Sequence, residues 1–219
     1  MKKFQFNLFM MLLLSTSKVG AQDFPTDQKL TFNVNLSLPH ATSNQPFKTI
    51  MKGLVNAEVS GQYTMPFGLA FGAGFRYLYF DINEFRTPYR VYGGMHSYAG
   101  FAKVGYEKFL TPRFAIDLHV KVGLSANQFF SDTLKRTGVK YIKDQSIWVE
   151  PTLGLVLAVD EFSSYRLNVG YAFQGFGFGL PKIGVYTNGG YNPADYSKIT
   201  NYLLVGFGYT YYFHERKKS

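Results

Sequence analysis

The residue types that most often carry acid–base or nucleophilic chemistry are thinly spread along this 219-residue chain. Asp117 and His119 lie on one face of a predicted strand, and Ser125 lies farther along that face, an order that could be arranged as a catalytic triad. Residues two apart on a strand have Cα atoms about 7 Å apart, and a carboxylate and an imidazole in a packed interior more often belong to a charge network. We therefore predict no catalytic residues.

The chain also offers few ligands for a metal ion. The histidines fall in separate predicted segments, and none has a second ligand at the spacing of a metal site. They are His40, His96, His119 and His214. The absence of cysteine excludes disulfides, thiolate metal sites, cysteine nucleophiles and a lipidated N-terminal cysteine. We expect no metal and no cofactor.

The composition is unusual for a water-soluble domain. Aromatic residues make up 18% of the chain and charged residues only 17%, whereas soluble domains carry about 25% charge. The hydrophobic fraction of 46% excludes intrinsic disorder. The length fits one domain built on a single sheet or barrel.

The first 21 residues have the pattern of an export signal. Lys2 and Lys3 precede an apolar run at 8–14, and small residues at 19–21 fit a signal-peptidase site. We predict cleavage after Ala21; the alternative of an anchor helix is disfavoured because the run is shorter than the ~20 residues of a membrane span. Nucleic acid is not an expected partner of an exported chain, despite a pI of about 9.5.

The rest of the chain alternates between apolar and polar residues with a period of two, which predicts β-strands. The clearest alternation is at 114–127. We predict eight strands, at 31–38, 55–65, 69–79, 98–106, 114–127, 149–159, 165–173 and 203–213. None of the residues on their apolar faces is charged, and the opposite faces are rich in glycine and polar residues.

Two closed architectures fit this alternation. A lipocalin-like soluble barrel, or a sandwich, would turn the apolar face inward and would need a densely charged exterior. A transmembrane barrel turns the apolar face to lipid and fills its interior with polar and small side chains. The glycine-rich polar faces favour the second, as do aromatic residues near both strand ends. We therefore predict an all-β fold, an eight-stranded antiparallel up-and-down transmembrane β-barrel over 22–213, followed by a basic periplasmic tail at 214–219.

The connections alternate strictly between short and long, as they do in such barrels. Short links are predicted at 66–68, 110–112 and 160–164, and long loops at 39–53, 80–94, 128–146 and 175–200. All long loops then lie at one end of the barrel, which we call the long-loop end, and both termini lie at the other. Pro151 falls inside a predicted strand, where we expect a bulge near the long-loop rim.

The 66–68 turn also predicts a register. Pairing Met65 with Leu69 sets Glu58 opposite Arg76 on the polar face, and a three-residue link at 110–112 would set Lys103 opposite His119. The lumen of an eight-stranded barrel holds little more than its own side chains, so buried charges there must neutralise one another. We predict a charge network that fills the lumen, made of Glu58, Arg76, Lys103, Asp117, His119, Lys121, Glu150 and Arg166.

The export signal, the eight alternating segments, the Gly-rich strand at 67–75 and a last strand ending in Tyr211, Tyr212 and Phe213 resemble small outer-membrane β-barrel proteins of the Bacteroidota type. These are similar in architecture to the OmpA barrel, to OmpX and to PorT-like proteins. The resemblance implies a location in the outer membrane of a Gram-negative bacterium. It also implies recognition of Phe213 by the barrel assembly machinery, although here residues 214–219 follow that aromatic residue.

The long loops carry the expected partner contacts. Lys135, Arg136, Lys140 and Lys143 would face outward and meet phosphates of lipopolysaccharide, or would simply be solvated. The loop at 175–200 is rich in Phe and Tyr, which suits either a protein contact or folding over the barrel mouth.

Three functions follow from these features. We predict a non-enzymatic outer-membrane barrel with a structural or interaction role; one alternative is an accessory barrel of a protein secretion or assembly machine. The other alternative is a lipid A-modifying enzyme using His96 and Ser97, although adjacent strand residues point to opposite faces.

Overall fold

The computed structural model describes residues 30–187, 190–192 and 199–213. They form a closed barrel in which eight antiparallel strands follow one another in sequence order and the last pairs with the first. The strands are β1 (Leu30–Ala41), β2 (Met51–Thr64), β3 (Leu69–Ile82), β4 (Gly93–Phe109), β5 (Phe114–Ser131), β6 (Ile142–Ala158), β7 (Ser163–Gln174) and β8 (Thr200–Phe213). The predicted fold of eight up-and-down strands is confirmed. The predicted export signal at 1–21 and tail at 214–219 lie outside the described residues.

The strands extend farther toward the long-loop end than the alternation predicted. The predicted strand at 98–106 is Gly93–Phe109, and the one at 149–159 is Ile142–Ala158. The loops are correspondingly shorter, at 42–50, 83–92, 132–141 and 175–199. Short helices lie within them: α1 (Gln45–Ile50), α2 (Asp132–Arg136) and 3-10 turns at Glu84–Arg86 and Leu180–Ile183.

The first tight turn has the predicted register. The Met65 amide donates to the Leu69 carbonyl and the Gly68 amide donates to the Met65 carbonyl, both at 2.8 Å. Gly68 has φ of 98°, a left-handed conformation that glycine adopts without strain. Glu58 therefore stands opposite Arg76, as predicted.

The second tight turn shifts the register by two residues from the prediction. Leu110 N–H donates to the Phe114 carbonyl, so the link is 111–113 and not 110–112. Lys103 consequently stands opposite Lys121, and the prediction that it faces His119 is wrong. The cause is the turn beginning at Thr111, whose hydroxyl accepts a hydrogen bond from the Phe114 amide at 3.0 Å.

Pro151 interrupts a ladder without producing a bulge. Between β6 and β7 the pairing passes from Val149 with Phe173 to Thr152 with Gly170, and the register is the same on both sides. The predicted bulge is therefore wrong, because the missing N–H removes a ladder bond without adding a residue. Pro151 also lies in the middle of β6 and not at its rim.

An apolar belt surrounds the outside of the barrel. The outward-facing side chains are apolar or tyrosine at 98–106 in β4, 114–126 in β5 and 203–213 in β8. These lengths are close to the ~9–11 residues that a tilted strand needs to cross a hydrocarbon core. Phe75 and Phe207 are more than 70% exposed on this surface, at 72% and 73%. Among the described residues, no helix has the length and apolar character of a membrane span.

The long-loop end contains an apolar core inside the barrel mouth. Phe47 of α1 is fully buried and packs edge-on against Phe80, Phe176 and Phe178, with ring centroids 4.9–5.9 Å apart. The described part of the last long loop thus follows the second of the two interpretations, because its aromatic residues pack over the mouth. Buried Leu180, Ile183 and Val185 continue this core.

Candidate functional site: a charged lumen and a basic rim

Eight charged side chains and one histidine are buried in the lumen at the level of the apolar belt. Four are basic (Arg76, Lys103, Lys121 and Arg166), four are acidic (Glu58, Glu107, Asp117 and Glu150), and His119 lies among them. The formal charges therefore balance. They point inward because β-strand side chains alternate between the two faces and each occupies the face opposite the belt.

One cluster of the network is centred on Glu150. Its carboxylate accepts hydrogen bonds from Lys121 Nζ at 2.8 Å and from Arg76 Nη1 at 3.3 Å. Lys121 also donates to Glu58 at 2.5 Å, and the Arg76 guanidinium lies 3.6 Å from the Trp148 ring centroid. Cation–π contact and the carboxylate together hold Arg76.

The predicted pairing of Glu58 with Arg76 is only partly right. The two residues are cross-strand neighbours, but the ion pairs formed are Arg76 with Glu150 and Lys121 with Glu58. Long side chains inside a narrow barrel reach residues across the lumen as easily as the facing residue, so register alone does not select the partner.

The second cluster is centred on Arg166. Its Nη1 donates to Asp117 at 2.5 Å and its Nη2 donates to Glu107 at 2.8 Å, while Nε donates to Thr210 at 2.5 Å. His119 Nδ1 lies 3.1 Å from Asp117. A guanidinium satisfied by two carboxylates is the kind of buried charge that remains stable without water.

Glu107 was not predicted as a member of the network. The predicted strand ended at Tyr106, whereas β4 continues to Phe109. Lys103, Gly105 and Glu107 occupy alternate positions of one strand, so one further step of the same alternation would have placed Glu107 in the lumen.

Neither arrangement considered for catalysis is assembled. His119 contacts Asp117, but the Ser125 hydroxyl bonds Ser146 at 2.8 Å and accepts from Gln174 at 2.8 Å. Ser97 is fully buried toward the lumen while the partly exposed His96 stacks on rings of the outward face. Within residues 30–187, 190–192 and 199–213, no cluster of three His, Asp or Glu side chains could hold a metal ion.

A small cavity lies within the lumen network. A cavity of about 20 Å³ lies between Glu58, His119, Lys121 and Glu150, with Asn168 and other lumen residues around it. That volume corresponds to about one water molecule. Charged and polar side chains of the lumen network form most of the lining of this cavity.

The four predicted loop cations are exposed at the long-loop end. Lys135 and Arg136 lie in the last turn of α2, where Arg136 pairs with Asp132 at 3.6 Å and is 80% exposed. Lys140 Nζ lies 5.3 Å from the Tyr141 ring, and Lys143 is exposed on the outward face of β6. Arg86 and Arg90 are also exposed, in the 83–92 loop. Phe213, the predicted assembly signal, is the last residue of β8 and faces outward beside Tyr211.

Three solved structures with the same architecture are similar to this chain. Neisserial surface protein A (NspA) has a TM-score of 0.58 and 14% sequence identity, covering 84% of this chain and 97% of that chain. Ail, the attachment invasion locus protein of Yersinia pestis, has a TM-score of 0.48, 9% identity and coverage of 84% and 99%. The outer membrane protein OprG from Pseudomonas aeruginosa has a TM-score of 0.44, 12% identity and coverage of 86% and 98%. The likeness to NspA shows a shared fold. Neither the protein-family models nor the curated proteins include a match.

Proposed function

We propose that this chain is an integral outer-membrane barrel of a Gram-negative bacterium with a structural or interaction role and no enzymatic activity. The observation that carries the proposal is the sorting of side chains: an uncharged apolar belt faces outward around buried charged residues. A soluble barrel needs the reverse arrangement, because water must solvate its exterior. The predicted export signal and the terminal aromatic residue Phe213 agree with this location.

Fractionation of the membranes and limited proteolysis of whole cells test the location and the orientation. We expect the protein in the outer-membrane fraction, with external protease cutting only the long loops. Recovery in a soluble fraction, or cleavage at the tight turns 65–68 and 110–113 from outside, would refute the proposal.

We also propose that the barrel does not conduct ions. The lumen ion pairs around Glu150 and Arg166 and the apolar core at the long-loop end support this part of the proposal. In planar bilayers the reconstituted protein should give no steady large conductance. A stable open channel in the folded protein would exclude a closed lumen.

The basic rim is proposed to contact phosphates of lipopolysaccharide. Lys135, Arg136, Lys140 and Lys143 are exposed at the end of the barrel where an outer leaflet would present its phosphates. Phosphates accept charge-assisted hydrogen bonds from lysine and arginine. Replacing all four with glutamine should weaken binding of lipopolysaccharide to the purified protein, and unchanged binding would argue against this role.

An accessory role in a secretion or assembly machine is the second candidate, favoured by the 83–92 loop. Phe85, Tyr89 and Tyr92 are exposed there beside Arg86 and Arg90, and exposed aromatic residues with arginine are typical of protein-binding hot spots. Crosslinking and mass spectrometry in native membranes should recover one constant stoichiometric partner if this role is correct. Recovery of lipids without such a partner would favour the structural role.

A further inference from the structure

A histidine is enclosed by aromatic rings on the outward face at the long-loop end. The His96 ring stacks on Phe130 and on Tyr79, each with centroids 5.0 Å apart. The Tyr77 hydroxyl lies 2.9 Å from His96 Nδ1. These contacts fix the plane of the imidazole, and no other described residue hydrogen-bonds its Nε2. When the hydroxyl donates to Nδ1, the ring proton is on Nε2, and that N–H can donate to a ligand.

His96 lies where the apolar belt ends. On β4 it follows the belt residues 98–106 toward the long-loop end, and on β5 Gln128 follows the belt residues 114–126 in the same way. In a membrane barrel the end of the belt marks the level of the lipid headgroups, where side chains meet polar groups and not acyl chains. In such a barrel the imidazole of His96 lies at the level of the headgroups.

Two further polar side chains lie beside His96. His96 is paired in register with Gln128, and Gln128 is paired with Lys143, so the three occupy neighbouring outward positions on β4, β5 and β6. Neighbouring strands are about 4.8 Å apart, which puts the Cα atoms of His96 and Lys143 about 10 Å apart. A headgroup phosphate fits between side chains at this separation.

A second cation is joined to the same group of rings. Lys140 Nζ lies 5.3 Å from the Tyr141 ring, and that ring lies 6.5 Å from the Phe130 ring on which His96 stacks. Lys140 and Lys143 are both exposed.

The nearby acidic residue already has partners. Asp81 accepts a hydrogen bond from the Tyr79 hydroxyl at 3.2 Å and is paired in register with Lys52. Asp144, the acid next to Lys143 on β6, is paired with Lys182. Lys140 and Lys143 form no ion pair with an acid among the described residues, so the local charge favours an anion.

We propose that His96, Gln128, Lys140 and Lys143 form a site for a phosphate of a phosphorylated glycolipid of the outer leaflet. The Nε2–H of His96 and the amide of Gln128 donate directly to phosphate oxygens, and the two lysines supply opposite charge. The proposal rests on the proposed outer-membrane location. To the lysines of the proposed lipopolysaccharide contact it adds two strand residues, His96 and Gln128. Lys135 and Arg136 on α2 are not part of this site.

Titration of the folded full-length protein with lipid A in detergent micelles, followed by native mass spectrometry, tests the site. Diphosphorylated lipid A and enzymatically dephosphorylated lipid A are the two probes. His96→Phe keeps a flat ring between Tyr79 and Phe130 but removes both nitrogens, and Lys143→Met keeps most of the side-chain stem. Each variant should bind the phosphorylated probe about tenfold more weakly or worse, as expected for one lost charge-assisted hydrogen bond.

Matched controls distinguish this site from general attraction. His40→Phe changes an exposed histidine at the long-loop end of β1, on the far side of the barrel from β5, and Lys48→Met removes an exposed cation from α1, in the loop between β1 and β2. Both should bind within about twofold of the unchanged protein, and all variants should bind the dephosphorylated probe equally. The comparison with the dephosphorylated probe keeps the test valid if a variant is partly misfolded, because misfolding would weaken the binding of both probes.

The possible failures are distinguishable. No preference of the unchanged protein for the phosphorylated probe would overturn both this site and the proposed lipopolysaccharide contact. A preference that His96→Phe and Lys143→Met leave intact would overturn this site alone. Displacement of the lipid by millimolar inorganic phosphate would identify a free-phosphate site and overturn the glycolipid assignment.

Discussion

Replacing Glu150 with glutamine removes the charge that joins two cations in the lumen. Glu150 accepts from Lys121 at 2.8 Å and from Arg76 at 3.3 Å, and all three side chains are almost fully buried. Lys121 retains Glu58 at 2.5 Å, but the only ion pair found for Arg76 among the described residues is the one with Glu150. Glu150→Gln therefore leaves the Arg76 guanidinium with the Trp148 ring and a neutral amide.

Breaking a buried ion pair by removing one partner costs about 3–5 kcal/mol, because the remaining charge is buried without compensation. We expect Glu150→Gln to lower the free energy of unfolding by that amount, which reduces the folded-to-unfolded ratio by roughly two to three and a half powers of ten. Arg136→Gln is the matched control: Arg136 is paired with Asp132 but is 80% exposed, and such pairs contribute about 0–1 kcal/mol.

The chain contains one tryptophan, so intrinsic fluorescence reports on this site directly. Trp148 lies 3.6 Å from the Arg76 guanidinium, and its emission should change with the network. Reversible urea unfolding in lipid vesicles, followed by that emission and by the gel mobility of folded barrel, gives the free energies. If the free energy of unfolding of Glu150→Gln is within about 0.5 kcal/mol of that of the unchanged protein while Trp148 stays buried, the ion pairs of Glu150 do not stabilise the barrel.

Three other changes should have measurable effects. Phe47→Ala removes a fully buried ring from the apolar core at the long-loop end and should cost about 3–5 kcal/mol and open the long loops to protease, whereas Phe85→Ala, whose ring is 76% exposed, should change neither. Gly206→Ala should impair folding because the added Cβ would clash with the Leu36 carbonyl and the Ser37 side chain. Gly61→Ala should fold normally, because the space around Gly61 is open. Heat-modifiable gel mobility would show the difference. The Phe162 amide and the Ser163 hydroxyl donate to Asp160 and hold the pKa of this carboxyl below its ordinary value. Asp160→Asn should therefore lower the Tm above about pH 4. The Tm difference between the variant and the unchanged protein should vanish as pH falls through the folded-state pKa of Asp160.

The alternation of residue types was enough to predict the strand number and which face turns inward. It failed at the long-loop end for a physical reason. Leu78, Phe80 and Ile82 are inward-facing yet apolar, since the loops pack on them. Where both faces of a strand are apolar, as at the end of β3, the period of two disappears, and the predicted strand at 69–79 therefore ended before Ile82.

The frame of the second tight turn could not be predicted from the sequence, for a different reason. Thr111 and Pro112 can close a turn in more than one frame, and the observed frame depends on the Phe114 amide donating to both the Thr111 hydroxyl and carbonyl. Proline at the second position of such a turn is favourable, but the sequence contains no equally strong signal for where the strand before it ends. The predicted register between β4 and β5 was therefore wrong by two residues. An error of two residues keeps every side chain on the correct face of the sheet but gives each residue of β4 the wrong partner on β5.

This two-residue ambiguity indicates what the lumen charges contribute beyond stability. A slip of one residue between strands would turn the apolar belt inward, and the hydrophobic pattern forbids it. A slip of two residues leaves the belt intact, so burial of apolar surface cannot distinguish the two registers. In the observed register Lys121 stands opposite Glu150. A slip of two residues would move Glu150 about 7 Å along the sheet, away from both Lys121 and Arg76. Lys121 would keep Glu58, but Arg76 has no other ion pair among the described residues. Glu150 therefore favours this register of β5 and β6 among those that the apolar pattern permits, and Glu150→Gln should weaken that preference as well as the stability of the barrel.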